Sequence, residues 1–149
     1  MKPVNQLIVD SGRGDCWRCA IASILEVSAE DVPNFVGNEF DGGENCHQAC
    51  RKWLNERGLF LLDVNLKDED EIYTRLDWYF LRGAYCIATV PSQKFQGRWH
   101  SVVMQLKKID EDSTRLIVAH DPNPNNPPYS WDVKIRRLQF IVPFVPEIN

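Results

Sequence analysis

Hydrophobic positions follow two different rhythms along this chain. In the first half they recur at helical spacing. Ile21, Ile24 and Leu25, with small Ala20 and Ala22 between them, predict a helix from residue 16 to about 27, with Asp15 in the N-cap position. Ser28 followed by Asp31 resembles a capping box for a short helix that Pro33 limits. Gly42 and Gly43 break the chain, and a helix from about 44 to 57 follows, with Gly58 where a left-handed cap belongs. Residues 59–64 read as a strand. A further helix is expected over about 69–81, because acidic residues fill its first turn and Arg82 and Gly83 sit at its end.

The second half changes to short runs rich in Val, Ile, Tyr and Phe, separated by polar turns. These predict strands over 84–90, 100–107, 114–120 and 138–144. Helices first and antiparallel strands second make an α+β domain rather than an alternating βαβ fold. A chain of 149 residues fits one domain, residues 1–149, with enough length to bury a core.

Composition narrows the function classes. The apolar fraction of 44% and charged fraction of 26% are those of a globular protein. A net charge of −4 argues against a nucleic-acid partner, which calls for a basic face. No run approaches the roughly 18 apolar residues of a membrane span, so no membrane partner is expected. The first residues lack the apolar stretch of a secretory signal, and the five cysteines are an odd number. Together these predict a cytoplasmic protein with reduced thiols. The sequence sets no oligomeric state.

One cysteine stands in a reactive position. Gly12-Arg13-Gly14-Asp15-Cys16-Trp17 puts Cys16 at a helix start, just after a Gly-rich loop. First-turn N–H groups lack intrahelical partners and the helix dipole is positive there. A thiolate is therefore favoured, and the same N–H groups can hold an oxyanion. Gly14, Asp15, Trp17 and Trp99 are candidates to line a substrate cleft. Trp131 and the loop over 123–129 are equally compatible with a cleft rim or with core and turn positions. The competing reading of Cys16 is a buried small hydrophobe.

A base is sought among three histidines. His47 lies inside a predicted helix and reads as a surface residue. His100 opens the apolar run His100-Ser101-Val102-Val103-Met104, and a strand end is a rigid support with an open side. If the strands flanking 109–112 form a hairpin centred between Asp110 and Glu111, paired residues sum to 221 and His100 faces Asp121. His100, Val102, Met104 and Leu106 then share a face with Asp121, Ala119 and Ile117, and His120 points to the other face. A carboxylate opposite an imidazole fixes its tautomer and stabilises the imidazolium. A slip of one residue would exchange the faces.

These residues resemble the papain-like cysteine peptidases, most closely the C39-like branch. Asp15-Cys16 at a helix start, the strand His100-Ser101-Val102-Val103, and Val118-Ala119-His120-Asp121-Pro122 are similar to that family's motifs and stand in its order. Cys16-Trp17 resembles the Cys-Trp pair of papain. The resemblance implies a papain-like fold, a helix bearing the cysteine packed on an antiparallel sheet bearing the histidine and aspartate. It also implies a Cys16-His100-Asp121 triad that hydrolyses a peptide or related amide through a thioester, with a peptide or protein substrate and no cofactor or metal. The family draws an oxyanion donor from a glutamine about six residues before the cysteine. Here Asp10 holds that spacing, and Gln6, ten positions before Cys16, is the candidate.

Three other readings stay open. Cys16 and Cys19 form a Cys-x-x-Cys pair that could exchange thiol for disulfide. Cys16, Cys19, Cys46 and Cys50 could bind structural zinc, although i, i+4 spacing on a helix fits core packing better. A peptidase-like fold could also serve as a non-catalytic binding protein.

Overall fold

A computed structural model of the chain describes residues 1–36, 44–66, 81–110 and 114–143. Within them, helix α1 spans Cys16–Leu25, a 3-10 turn spans Ala29–Asp31 and helix α2 spans Glu44–Asn55. The strands are β1 (Leu59–Asn65), β2 (Tyr85–Pro91), β3 (Trp99–Lys108), β4 (Thr114–His120) and β5 (Arg137–Pro143). They form one antiparallel sheet in the order β1-β5-β2-β3-β4. The domain is α+β, as the change of rhythm in the sequence predicts. The helix expected over 69–81 lies, apart from Leu81, outside the described residues.

Helix α1 is short because Glu26 adopts a left-handed conformation (φ 59°) and returns its N–H to the Ala22 carbonyl. Asp15 occupies the N-cap position, but its side chain does not cap the helix. Its carboxylate instead accepts the backbone N–H groups of Leu7 (3.3 Å) and Ile8 (3.0 Å), which binds the N-terminal segment to the start of α1. The Asp31 carboxylate accepts from both the backbone N–H and the hydroxyl of Ser28. Gly58 (φ 69°) closes α2 in the conformation that only glycine adopts without cost.

The sheet is covered on both faces. Helix α1 packs mainly on β3 and also on β2. Its Trp17, Ala20 and Ile21 meet Phe35, Leu54, Leu61, Ile87 and Val103 in one cluster. Small residues on α1 (Cys19, Ala20, Ala22, Ser23) allow the helix to be buried on several sides. The opposite face carries Ala88, Val102, Met104 and Leu138 under Tyr129, Val133 and Ile135 of the β4–β5 connection. Each fully buried Ile or Leu contributes about 1.5–3 kcal/mol of hydrophobic free energy. The Cys16 end of α1 is thereby pressed onto the start of β3.

The β3–β4 register differs from expectation by one residue. Paired numbers sum to 222, as in Lys108↔Thr114 and Met104↔Val118, not 221. Leu116 and Val118, not Ile117 and Ala119, therefore share a face with Met104 and Leu106. A bulge at Ala119 then shifts the next pair to Val103↔His120. An inserted residue reverses the alternation. His120 consequently turns to the α1 side, where its Nε2 meets the Val4 carbonyl at 2.9 Å, and Asp121 turns to the face of Val118 and Met104.

Candidate active site

Cys16, His100 and Asp121 converge at the N-terminal ends of α1 and β3. His100 Nε2 lies 2.6 Å from Asp121 Oδ1, and the His100 ring acts on the Cys16 thiol through hydrogen bonding and charge. With Nε2 given to Asp121, Nδ1 is the nitrogen left for the sulfur. His100 is 8% exposed and Cys16 partly exposed, so the histidine is shielded while the sulfur opens onto a cleft.

Electrostatics around the three groups favour charge separation. Burial opposes a thiolate at Cys16, but hydrogen bonding and charge from His100, joined by the backbone N–H and hydroxyl of Ser101, lower its pKa overall. Burial likewise opposes an imidazolium at His100, yet Asp121 and Cys16 outweigh it and raise its pKa to about 9. Burial works against the Asp121 carboxylate too, and hydrogen bonds from His100, Asn126 and Asn123 more than offset it, lowering its pKa. The other thiols differ: burial pushes Cys19, Cys50 and Cys86 up to about 12. Cys19 is wholly buried and points its thiol at the Asn5 carbonyl, and Cys46 and Cys50 belong to the core. Among the described residues, no cluster of His, Cys, Asp or Glu side chains could hold a metal ion.

Asp121 is held from behind by its own loop. Its Oδ1 also accepts the Asn123 backbone N–H (2.8 Å), and its Oδ2 accepts the Asn126 side-chain N–H (2.9 Å). Asn123 in turn bonds Asn126 side chain to side chain at 3.0 Å. The Asp-Pro-Asn-Pro-Asn-Asn sequence is thus a cradle for the carboxylate, a role for Asn126 that pattern reading did not assign. Trp131 stands 75% exposed against Arg115, away from the Cys16 cleft.

The cleft candidates separate. Gly14, Trp17 and Trp99 line the cleft beside Cys16 and His100. Gly14 leaves no room for a side chain, since a Cβ there would lie 2.8 Å from the Asp10 carbonyl oxygen. Trp17 is largely buried and donates its Nε1–H to Gln139 Oε1 (2.8 Å), whereas Trp99 is 44% exposed under the Arg136 guanidinium. Asp15 does not line the cleft. It is 1% exposed, and its carboxylate accepts the Leu7 and Ile8 amides inside the fold.

Gln6 is buried near the helix start, where its side-chain N–H donates to the Ile8 carbonyl (2.9 Å), the oxygen that also accepts the Asp15 N–H. Its backbone N–H donates to the Pro122 carbonyl, tying this segment to the residue after Asp121. Asp10 is exposed, and the backbone N–H groups of Gly12 and Arg13 hold its carboxyl below the usual range. His47 is not the surface residue that its helical position implied. It is half-buried, its ring lies 4.9 Å from that of Trp17, and it lines the same cleft as Cys16. No protein-family model and no curated protein matches the chain.

Proposed function

We propose that this protein is a cysteine hydrolase of papain-like type, with a fold of the C39-like kind, that cleaves a peptide or related amide through a thioester. The reading is carried by one observation: His100 is bonded to the Asp121 carboxylate and lines the same cleft as Cys16, whose thiol it acts on by hydrogen bonding and charge. A merely structural cysteine has no need of a partner whose pKa is raised to about 9 beside it.

In this reading the resting state is a thiolate–imidazolium pair. Cys16 sulfur attacks the amide carbonyl carbon, forming a C–S bond and an oxyanion. The Cys16 backbone N–H, which has no intrahelical partner in the first turn of α1, donates to that oxygen. Gln6 has its amide engaged with Ile8, so the oxyanion rests first on the helix start. As the C–N bond breaks, His100 gives its proton to the departing amine. His100 then takes a proton from water, whose oxygen attacks the thioester, and the acid leaves while the thiolate returns. Asp121 keeps the ring oriented throughout. Thiol chemistry requires reduced cysteines, and Cys16 is free, in keeping with work in the cytoplasm.

Iodoacetamide labelling at pH 6, read by peptide mass spectrometry, tests the reading. Cys16 should alkylate well ahead of the other four cysteines, and His100→Ala should bring its rate down to that of an ordinary thiol. A Cys16 that labels no faster than its neighbours at that pH would remove the nucleophile from the proposal.

A further inference from the structure

The cleft beside Cys16 extends across the sheet along a row of polar side chains. Asn65 pairs with Arg137, Arg137 with Thr89, and Thr89 with Ser101, which touches Cys16. Cross-strand neighbours share a face, so these four form one stripe on the α1 side of the sheet. Arg137 is two strands from Ser101, roughly 10 Å between backbones at the usual strand spacing. Arg137, Thr89, His47 and Cys16 line the same cleft.

Arg137 is fixed by neutral partners. Its Nε donates to Asn65 Oδ1 (2.9 Å) and its Nη1 to His47 Nε2 (3.0 Å). Because His47 accepts there, its proton sits on Nδ1 and the ring is neutral. Burial and the Arg137 charge both lower the His47 pKa. Among the described residues no carboxylate forms an ion pair with Arg137; Asp63, on the same face, is already held by Arg51 and by Gln139. Asp10, at the cleft rim, is turned to the Gly12 and Arg13 amides. A guanidinium held by two neutral partners and facing a cleft is suited to a carboxylate, which it can grip with parallel N–H bonds.

We propose that Arg137, with His47 and Thr89, forms a subsite that binds a carboxylate of the substrate two or three residues from the scissile bond. This rests on the hydrolase reading and narrows the substrate to an acidic peptide or one ending in a free carboxylate near the cut. His47 holds the guanidinium, and Thr89 supplies a hydroxyl between it and the reacting centre.

Second-order alkylation of Cys16 by matched peptide probes tests this in the intact protein. Chloroacetyl-Gly-Glu-amide is compared with chloroacetyl-Gly-Gln-amide, and the same Glu/Gln pair is built as peptidyl chloromethyl ketones to present the opposite chain direction. Chloroacetyl-Gly-Gly with a free or an amidated terminus separates a terminal carboxylate from an acidic side chain. In one chain direction a carboxylate-bearing probe should react about tenfold faster than its neutral partner, the worth of one charge-assisted hydrogen-bonded contact. Arg137→Gln should bring that ratio near one with the iodoacetamide rate unchanged, and Arg137→Lys should keep part of it. Ratios near one for every pair in the unmodified protein, with rapid iodoacetamide labelling of Cys16, would overturn the subsite and leave the hydrolase reading standing. Slow iodoacetamide labelling would sink both.

Discussion

Asp121 faces His100 because β4 takes up Ala119 in a bulge instead of pairing it. Without the bulge at Ala119, the observed pairing of Met104 with Val118 would turn His120 toward the His100 face and Asp121 away from it. With it, Asp121 Oδ1 closes to 2.6 Å from His100 Nε2. Deleting Ala119 would leave Val118, His120 and Asp121 opposite Met104, Val103 and Val102 in plain alternation, so Asp121 stays on the His100 face and rapid Cys16 labelling should survive in protein that folds, whereas Asp121→Ala should slow it. Near-neutral labelling rates and circular dichroism distinguish the two.

The raised His100 pKa has a kinetic signature. Hydrolysis that needs the imidazolium as acid should fall as pH rises through about 9. Asp121→Asn removes the hydrogen-bonded anion, so that falling limb should move down by about one to two pH units. The rate should drop on the order of 10²–10⁴-fold. A pH profile of hydrolysis by the two proteins measures both; iodoacetamide labelling, whose rate follows the thiolate, reports only the rising limb. An unmoved limb would show that Asp121 does not set the His100 charge.

The same pair makes stability depend on pH. His100 has a folded pKa of about 9 against the ordinary 6.5, so its contribution is full below about 6.5 and is lost as pH rises through about 9. Asp121 is shifted the other way, so its contribution is present above 3.8 and is lost as pH falls through its lower folded value. The stability gap between the unmodified protein and Asp121→Asn should therefore be widest between about pH 4 and 6.5 and narrow on both sides. Urea denaturation across pH gives the curve. Asn126→Ala, which takes one bond from the carboxylate, should cost about 1.5–3 kcal/mol at pH 6.

Asp15 acts on the framework rather than on substrate. Asp15→Ala leaves the Leu7 and Ile8 amides without their acceptor and should cost about 1–3 kcal/mol. The Glu/Gln selectivity of Cys16 probes should not change. Thermal unfolding and the probe ratios report the two separately.

The glycines of the loop before Cys16 differ in what they tolerate. A Cβ at Gly14 would sit 2.8 Å from the Asp10 carbonyl oxygen and 3.3 Å from that of Ile8, so Gly14→Ala must move the backbone beside the sulfur. It should destabilise by about 1–3 kcal/mol and slow Cys16 labelling. A Cβ at Gly12 meets only an Asp10 side-chain oxygen at 3.9 Å, and Gly12→Ala should do neither.

Local features of the chain were decisive for its elements. Helical spacing before residue 58, short β-rich runs after residue 84 and Gly58 as a stop are interactions over a few residues, and the observed α1, α2 and strands follow them closely. The convergence of Cys16 and His100 was also foreseeable, because a helix start and a strand start are where such groups are offered. Tertiary structure alone decided the rest. The hairpin register and the Ala119 bulge depend on which faces bury against α1 and the loop under Ile135. Asp15 was drawn from the cleft by the Leu7 and Ile8 amides, and His47 from the surface by Trp17 and Arg137. Arg137 gained its place beside Cys16 through pairing of β5 with β2. These contacts join residues from seven positions apart (Asp15 and Ile8) to ninety (His47 and Arg137), and no local periodicity encodes them, because burial and hydrogen-bond satisfaction are settled only when the layers close.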